Sequence, residues 1–369
     1  MLFLEKFRDP VLSRGLLARV INRAQKVREK LGRPAVFMEV CGTHTVAISR
    51  AGLRSILGEY MELRSGPGCP VCVTDYADID RMVAFASLLG VTVGTFGDMM
   101  RVPGSRTSLE RQRAAGADVR VFYSPRDAVA YAAEHPERQL VFLGVGFETT
   151  APGVAAAIAE ARGKGVKNFS VYSTHKVVPP AMRAIIADPE IRIDGFILPG
   201  HVSTIIGRRS FDFIATEYGL PAVVAGFETL DIIDAIYCLL GQILDGEARV
   251  ENGYSRVVRE EGNPRARAQM AEFFEVGDAS WRGFGIIPQS GLNIRPAYRD
   301  FDAAARFQVT IEPPRLPRGC ACGDLLKGKL TPGDCRLFGK VCTPAHPVGP
   351  CMVSSEGACA AYYQYERRQ

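Results

Sequence analysis

The sequence predicts an α/β fold: two parallel-sheet α/β domains facing a cleft, followed by a small Cys-rich C-terminal domain. Three observations carry this expectation. From about residue 35 to residue 245, short runs rich in β-branched and aromatic residues alternate with helical stretches, the pattern of parallel strands whose crossover helices cover both faces. The segment Val145-Gly146-Phe147-Glu148-Thr149 is answered by Ala225-Gly226-Phe227-Glu228-Thr229, each after an apolar strand and before a helix, which favours two related units over one large sheet. Six cysteines then fall between Cys320 and Cys359, where strand alternation fades and Pro313, Pro314, Pro317 and Gly319 interrupt the chain.

The elements follow in order. An amphipathic helix comes first, because Leu12, Leu16, Val20, Ala24, Val27 and Leu31 recur at helical spacing and Gly32 with Pro34 ends the run. Strands are expected at 35–40, 60–63, 91–95, 119–123, 140–147, 169–172, 196–198 and 222–225, with helices at 76–89, 154–161 and 231–244. The expected domains are 1–135, 136–250 and 251–369, the first boundary placed at His135-Pro136, where a helix ends before the next strand. The third region is thin in apolar residues, and a bound metal group would supply its missing cross-links.

Composition narrows the function. With 369 residues, 47% apolar and 23% charged, the chain is long enough for two or three domains of roughly 150 residues and is no disordered, coiled-coil or collagen-like sequence. Its net charge of +5 is dispersed, with no Lys/Arg block, so no nucleic-acid partner is expected. No run approaches the ~20 apolar residues of a membrane helix. The opening Met-Leu-Phe-Leu is broken by Glu5, Lys6, Arg8 and Asp9, so no signal-peptide core is read and a cytoplasmic location is expected. In that reducing compartment clustered cysteine argues for metal or redox chemistry.

Ligands of open parallel sheets bind outside the carboxyl ends of the strands, and the unusual polar segments fall there. Cys41-Gly-Thr-His44 follows the first strand and Gly66-Pro-Gly-Cys69-Pro-Val-Cys72 the second. Asp98, Glu148, His175, Lys176, His201 and Glu228 follow later strands, so one cleft lined by Cys, His, Asp, Glu and Lys is expected. Cys41 opens a turn into a helix, where amide dipoles and a nearby His favour thiolate, and Cys41 with His44 offers soft and intermediate ligands for one metal ion. The plainer reading of a lone cysteine is a small buried apolar residue. Cys69 and Cys72 form a C-x-x-C pair with no second such pair, which suits a dithiol that opens and closes, or a transient metal site, better than a zinc knuckle. Glu148 and Glu228 are placed to cap the helices that follow them, and His175 and His201 are either cleft residues or hydrogen-bonded parts of the fold. The spacing Cys320-x-Cys322-x12-Cys335-x6-Cys342-x8-Cys351-x7-Cys359 points to metal, and zinc and iron–sulfur both accept four thiolates.

Read together, Cys41-Gly-Thr-His-Thr, Gly66-Pro-Gly-Cys-Pro-Val-Cys72, Phe96-Gly-Asp-Met-Met, Gly146-Phe-Glu-Thr-Thr, Pro199-Gly-His-Val-Ser and the tail Pro347-Val-Gly-Pro-Cys-Met-Val-Ser-Ser-Glu-Gly-Ala-Cys359 occur in the order of the HypD family of hydrogenase maturation factors, which the sequence resembles along nearly its whole length. The resemblance implies a scaffold that holds iron while its cyanide and carbon monoxide ligands are assembled for nickel–iron hydrogenase. It implies a small chaperone partner, HypC, and cyanide delivery by HypE with HypF upstream. It implies a [4Fe–4S] cluster in the C-terminal domain, with Cys322, Cys335, Cys342 and Cys359 as ligands and Cys320 and Cys351 as extra thiols. It assigns iron anchoring to Cys41 and the cleft C-x-x-C to Cys69 and Cys72, as redox dithiol or further ligands. The rival readings are an iron–sulfur-fed thiol–disulfide reductase, which needs no iron at Cys41, and a structural zinc adaptor.

Overall fold

The computed structural model describes residues 9–367; the broken apolar run read at residues 1–8 lies outside them. Eleven strands are named here in chain order. Sheet one runs β2-β1-β7-β8-β9 and is parallel throughout, from β1 (Ala35–Glu39), β2 (Met61–Ser65), β7 (Gly195–Pro199), β8 (Ala222–Ala225) and β9 (Val250–Asn252). Sheet two runs β4-β3-β5-β6, also parallel, from β3 (Val91–Thr95), β4 (Val119–Val121), β5 (Gln139–Gly144) and β6 (Phe169–Ser173). An antiparallel hairpin, β10 (Phe274–Trp281) with β11 (Gly285–Ile294), completes the set.

Both sheets bury both faces, and the period of two shows why. In β1, Ala35 and Phe37 join an outer core, while Met38 and Val40 join the core on the other side. In β5, Leu140 and Phe142 point outward, Val141 and Leu143 inward. The helices Pro10–Leu31 and Thr229–Asp245 cover the outer face of sheet one. The helices Pro125–Glu134 and Ala151–Gly163, with the hairpin, cover that of sheet two. The inner faces of the two sheets share one core with the C-terminal cysteine region, through Leu325, Leu326, Cys351 and Met352 among others.

Strand pairing groups the chain differently from the expected domains. β3 is hydrogen-bonded to β5, so the division at His135-Pro136 runs through sheet two; β1 and β2 belong with β7, β8 and β9, some 130 residues later in the chain. The division at 250/251 cuts β9 in the same way. The expected fading of strands after residue 250 is also corrected by the 18 residues of β10 and β11. Gly277, Gly285, Gly291 and Pro288 interrupt their apolar alternation, and the pairing slips between Gly277 and Ala279.

One buried ion pair ties sheet one to the end of the chain. Glu39 has no exposure; it accepts from Ser65 Oγ at 2.6 Å and Thr45 Oγ1 at 3.1 Å and pairs with Arg54 at 2.6 Å. Arg54 also reaches the Leu63 carbonyl at 3.1 Å and Glu366 at 2.9 Å, with its guanidinium over the Tyr362 ring. Removing one partner of such a pair leaves the other charge stranded in low dielectric. Arg54→Ala is therefore expected to lower unfolding stability by about 3 kcal/mol or more, read by denaturant titration; a loss under 1 kcal/mol, the scale of an exposed pair, contradicts the buried role.

Candidate functional site

In each sheet the strand order reverses between two central neighbours. From β1 the chain moves one way to β2, and from its neighbour β7 the other way to β8; β3 and β5 repeat the pattern. Loops leaving such neighbours diverge and open a crevice. Cys41 follows β1, Pro199-Gly200-His201 follows β7, and Gly146-Phe147 follows β5. Loops from both sheets line one cavity of about 420 Å³, which takes in Cys41, Thr43, Pro70, Phe147, His201 and Glu356.

Cys41 is the N-cap residue of the helix Gly42–Arg50 and is buried. The C-x-x-C loop lies directly over it: Gly42 N–H donates to the Gly68 carbonyl at 3.0 Å, and a Cβ on Gly68 would sit 2.2 Å from the Cys41 nitrogen. The amides of Thr43 and His44 face the sulfur and favour thiolate, as expected, yet they lose: burial first, then the Glu356 carboxylate, push the thiol up to about 11. Burial thus outweighs the amide dipoles that favour thiolate at this position.

His44 is buried one turn on. Its Nε2 donates to the Gly226 carbonyl at 2.8 Å, which leaves Nδ1 as a bare, unpartnered lone pair. Its ring stacks on Phe227, whose ring also stacks on His201, with centroids 4.7 and 3.9 Å apart. Burial pushes His44 down to about 4. Cys69 and Cys72 are joined as a disulfide and buried, with Cys69 as the N-cap of the short helix Pro70–Val73. Beside that helix, Arg282 at the tip of the hairpin donates twice to the Thr74 carbonyl, at 3.0 and 2.7 Å, and Trp281 stacks on Phe147. A Cβ on the neighbouring Gly283 would meet Gly323 Cα at 2.5 Å, so the hairpin tip presses against the helix that begins at Cys322.

The other sequence candidates separate. Asp98 is exposed, with Ser354 Oγ 3.4 Å away, and it does not line this cavity. Glu148 is buried and caps a helix, but not the one after it: Oε1 accepts from Val178 N–H at 2.9 Å, at the start of the helix Val178–Ala187. Burial pushes its carboxyl up to about 7. Glu228 is the N-cap residue of Thr229–Asp245, as expected, and its own N–H is taken by Asp231. His175 and Lys176 line a second cavity of about 280 Å³ with Asp78 and Tyr172, and Glu148 lines a third of about 460 Å³, so the side chains expected in a single cleft are spread over separate cavities. Lys176 Nζ lies 3.9 Å from Asp78, while His175 Nδ1 donates to Ser173 Oγ at 3.0 Å.

The C-terminal thiols are gathered and mostly buried. Cys359 is held protonated by burial and by its neighbours Cys322, Cys342, Cys320 and Cys335. Cys342 Sγ accepts from Val348 N–H at 3.4 Å, and Cys322 and Cys351 sulfurs lie 2.7 Å apart. A Cβ on Gly349 would fall 2.8 Å from Cys320 Sγ, so that glycine leaves room for the sulfurs. This set of thiols fits a four-thiolate cluster in donor chemistry. Among the described residues, no three His, Cys, Asp or Glu side chains converge closely enough to hold one metal ion. Sequence reading missed Glu356, although it lies in the quoted tail motif between Cys351 and Cys359, and it missed Glu39, two residues before Cys41.

These charges give the Cys41 thiol a definite pH behaviour. Alkylation proceeds through thiolate. The labelling rate at Cys41, followed by peptide mass spectrometry, is expected to keep rising to about pH 11 in the native chain. In Glu356→Gln it should level off at lower pH, because one negative neighbour is gone; a native rate already flat by pH 9.0, the ordinary thiol value, contradicts the assignment.

Comparison with known proteins supplies the family. The sequence profile of HypD, described as "Hydrogenase formation hypA family", matches residues 16–366. Hydrogenase maturation factor HypD of Rhodobacter capsulatus is 48% identical over 99% of this chain and 98% of its own length. The HypD proteins of Escherichia coli K12 and Azotobacter vinelandii are each 44% identical over 100% of this chain and 99% and 98% of their own lengths. With every quoted motif in place and the match running the length of both chains, the protein belongs to the HypD family of hydrogenase maturation factors.

Proposed function

We propose that the chain is the cytoplasmic scaffold on which ferrous iron receives its cyanide and carbon monoxide ligands on the way to nickel–iron hydrogenase, with Cys41 as its anchor. One observation supports the reading: Cys41 lines a cavity formed by loops of both sheets, and Gly68, the residue before the Cys69–Cys72 disulfide, lies directly over its backbone. Iron enters as the substrate. As the S–Fe bond forms, the Cys41 S–H bond breaks and its proton leaves to the medium; the amides of Thr43 and His44 then stabilise the sulfur's charge. Thiolate is a soft, electron-rich ligand suited to low-spin ferrous iron bearing cyanide and carbon monoxide. His44, fixed by Gly226 and stacked on Phe227, orients the Cys41 turn from beneath.

A small chaperone of the HypC kind supplies a second thiolate, and HypE, with HypF upstream, delivers cyanide. Reduced Cys69 and Cys72 reduce the carbon monoxide precursor as they close: two S–H bonds break, one S–S bond forms, and the two electrons and two protons pass to that precursor, which is the two-electron acceptor. Cys322, Cys335, Cys342 and Cys359 are the thiols proposed to hold a [4Fe–4S] cluster, which when bound supplies electrons one at a time. The disulfide also favours a second reading, a thiol–disulfide reductase with no iron at Cys41.

Infrared spectroscopy of the protein purified without oxygen, with its small partner, separates the two. Cyanide and carbon monoxide stretches are expected in the native protein and absent from Cys41→Ala. The Cys69→Ser/Cys72→Ser protein should retain cyanide bands but fail to complete the centre. A native complex with an intact cluster and no such bands, together with a functional Cys41→Ala protein, selects the reductase.

A further inference from the structure

Glu356 is a carboxylate that the proposed chemistry leaves without a task. It lines the same cavity as Cys41 and His201, and Thr43 Oγ1 donates to its Oε1 at 2.6 Å. Its backbone lies against the first turn of the Cys41 helix: a Cβ on Gly42 would meet Glu356 Cβ at 2.5 Å and its carbonyl oxygen at 2.6 Å. The loop that carries it runs between Cys351 and Cys359, so the C-terminal region itself brings this acid to the iron cavity. We infer that Glu356 is the oxygen ligand through which the Cys41 cavity first takes up bare ferrous iron, before the diatomic ligands arrive. The inference rests on Cys41 being the iron anchor.

Two arguments lead there. The first is charge. A carboxylate beside a thiol opposes a free thiolate and so serves a nucleophile badly, but it favours a dication that bridges the two. The second is ligand hardness. A ferrous ion carrying only water accepts oxygen donors readily, whereas one carrying cyanide and carbon monoxide is soft and favours thiolate. One oxygen and one sulfur from the protein leave the other positions of the ion to water, then to the incoming ligands and the partner's thiolate. Uptake balances simply: hydrated ferrous iron, the Cys41 thiol and the Glu356 carboxylate give one S–Fe and one O–Fe bond, displaced water and one proton released to the medium. No electron moves. As anionic cyanide accumulates, the carboxylate is the ligand displaced.

The test uses the full chain with its iron–sulfur cluster reconstituted, titrated anaerobically with Co²⁺ as the probe for the bare ion. The readout is the thiolate-to-cobalt charge-transfer absorption that Cys41→Ala lacks. Glu356→Gln, which keeps an oxygen for Thr43, is expected to weaken Co²⁺ binding roughly tenfold or more while the band persists at saturation. Thr43→Val removes the hydrogen bond but keeps the carboxylate, and should bind close to the native affinity. Native affinity in Glu356→Gln overturns the inference. So does an equal loss in Thr43→Val and Glu356→Gln, which makes the residue a strut. A native chain with no Cys41-dependent band removes the anchor and this inference with it, whereas a band with unchanged affinity in Glu356→Gln removes the inference alone.

Discussion

Glu39 ends β1 wholly out of water, two residues before Cys41, and it is paired with Arg54. A carboxylate in such a place is tolerable only when it is paired and hydrogen-bonded, and the groups that satisfy it come from separate parts of the chain. Ser65 brings the end of β2, Thr45 the Cys41 helix, and Arg54 the short helix Leu53–Leu57 between them. Arg54 in turn binds Glu366, which follows the last helix, Ala358–Tyr365, where Cys359 sits. The placement of Cys41 and that of a candidate cluster ligand thus depend on the same guanidinium. Loss of Arg54 would strand the Glu39 charge, and loss of either hydroxyl would remove one of the hydrogen bonds to its Oε1.

Close backbone approach then does what side chains would prevent. Gly42 admits the Glu356 loop and Gly68 admits the C-x-x-C loop, so two segments from distant positions in sequence touch the backbone at Cys41. On the other side, Arg282 fastens the hairpin tip to Thr74 while Gly283 packs on Gly323. The disulfide helix and the helix that begins at Cys322 therefore share one wall, which neither sheet alone provides. The hairpin has a structural part that its weak alternation conceals.

Much of this was legible beforehand. The eight strands read between residues 35 and 225 all form, because each pairs a short β-rich run with a following polar loop, and both faces of each sheet are buried. Grouping those strands into sheets was not legible, since β1 pairs with β7 across more than 100 intervening residues and nothing local records that choice. The Cys41 and C-x-x-C motifs were readable from residue type and glycine spacing. Glu356 was not, because its importance comes from contact with Gly42 rather than from its sequence neighbours. The two Gly-Phe-Glu-Thr segments looked alike and act differently: Glu228 begins its own helix, while Glu148 reaches across to a later one.

Charge in the cavity gives the arrangement its direction. Burial holds Cys41 as a thiol and lowers His201 as well, so in the cavity Glu356 shares its space with a neutral imidazole and an S–H, while His44, also lowered by burial, lies behind the Cys41 turn. A cavity of that kind is a poor host for an anion and a good one for a dication. In the proposed uptake, ferrous iron that displaced the thiol proton would have its two charges balanced by one thiolate and one carboxylate, and a neutral assembly suits a site of low dielectric. In the same proposal each cyanide added afterwards would carry a further negative charge that must be offset. The least costly adjustment is to release the hard oxygen donor, which can turn back to Thr43, while the sulfur stays. In that scheme the cation comes before the anions because burial keeps Cys41 and His201 neutral beside Glu356.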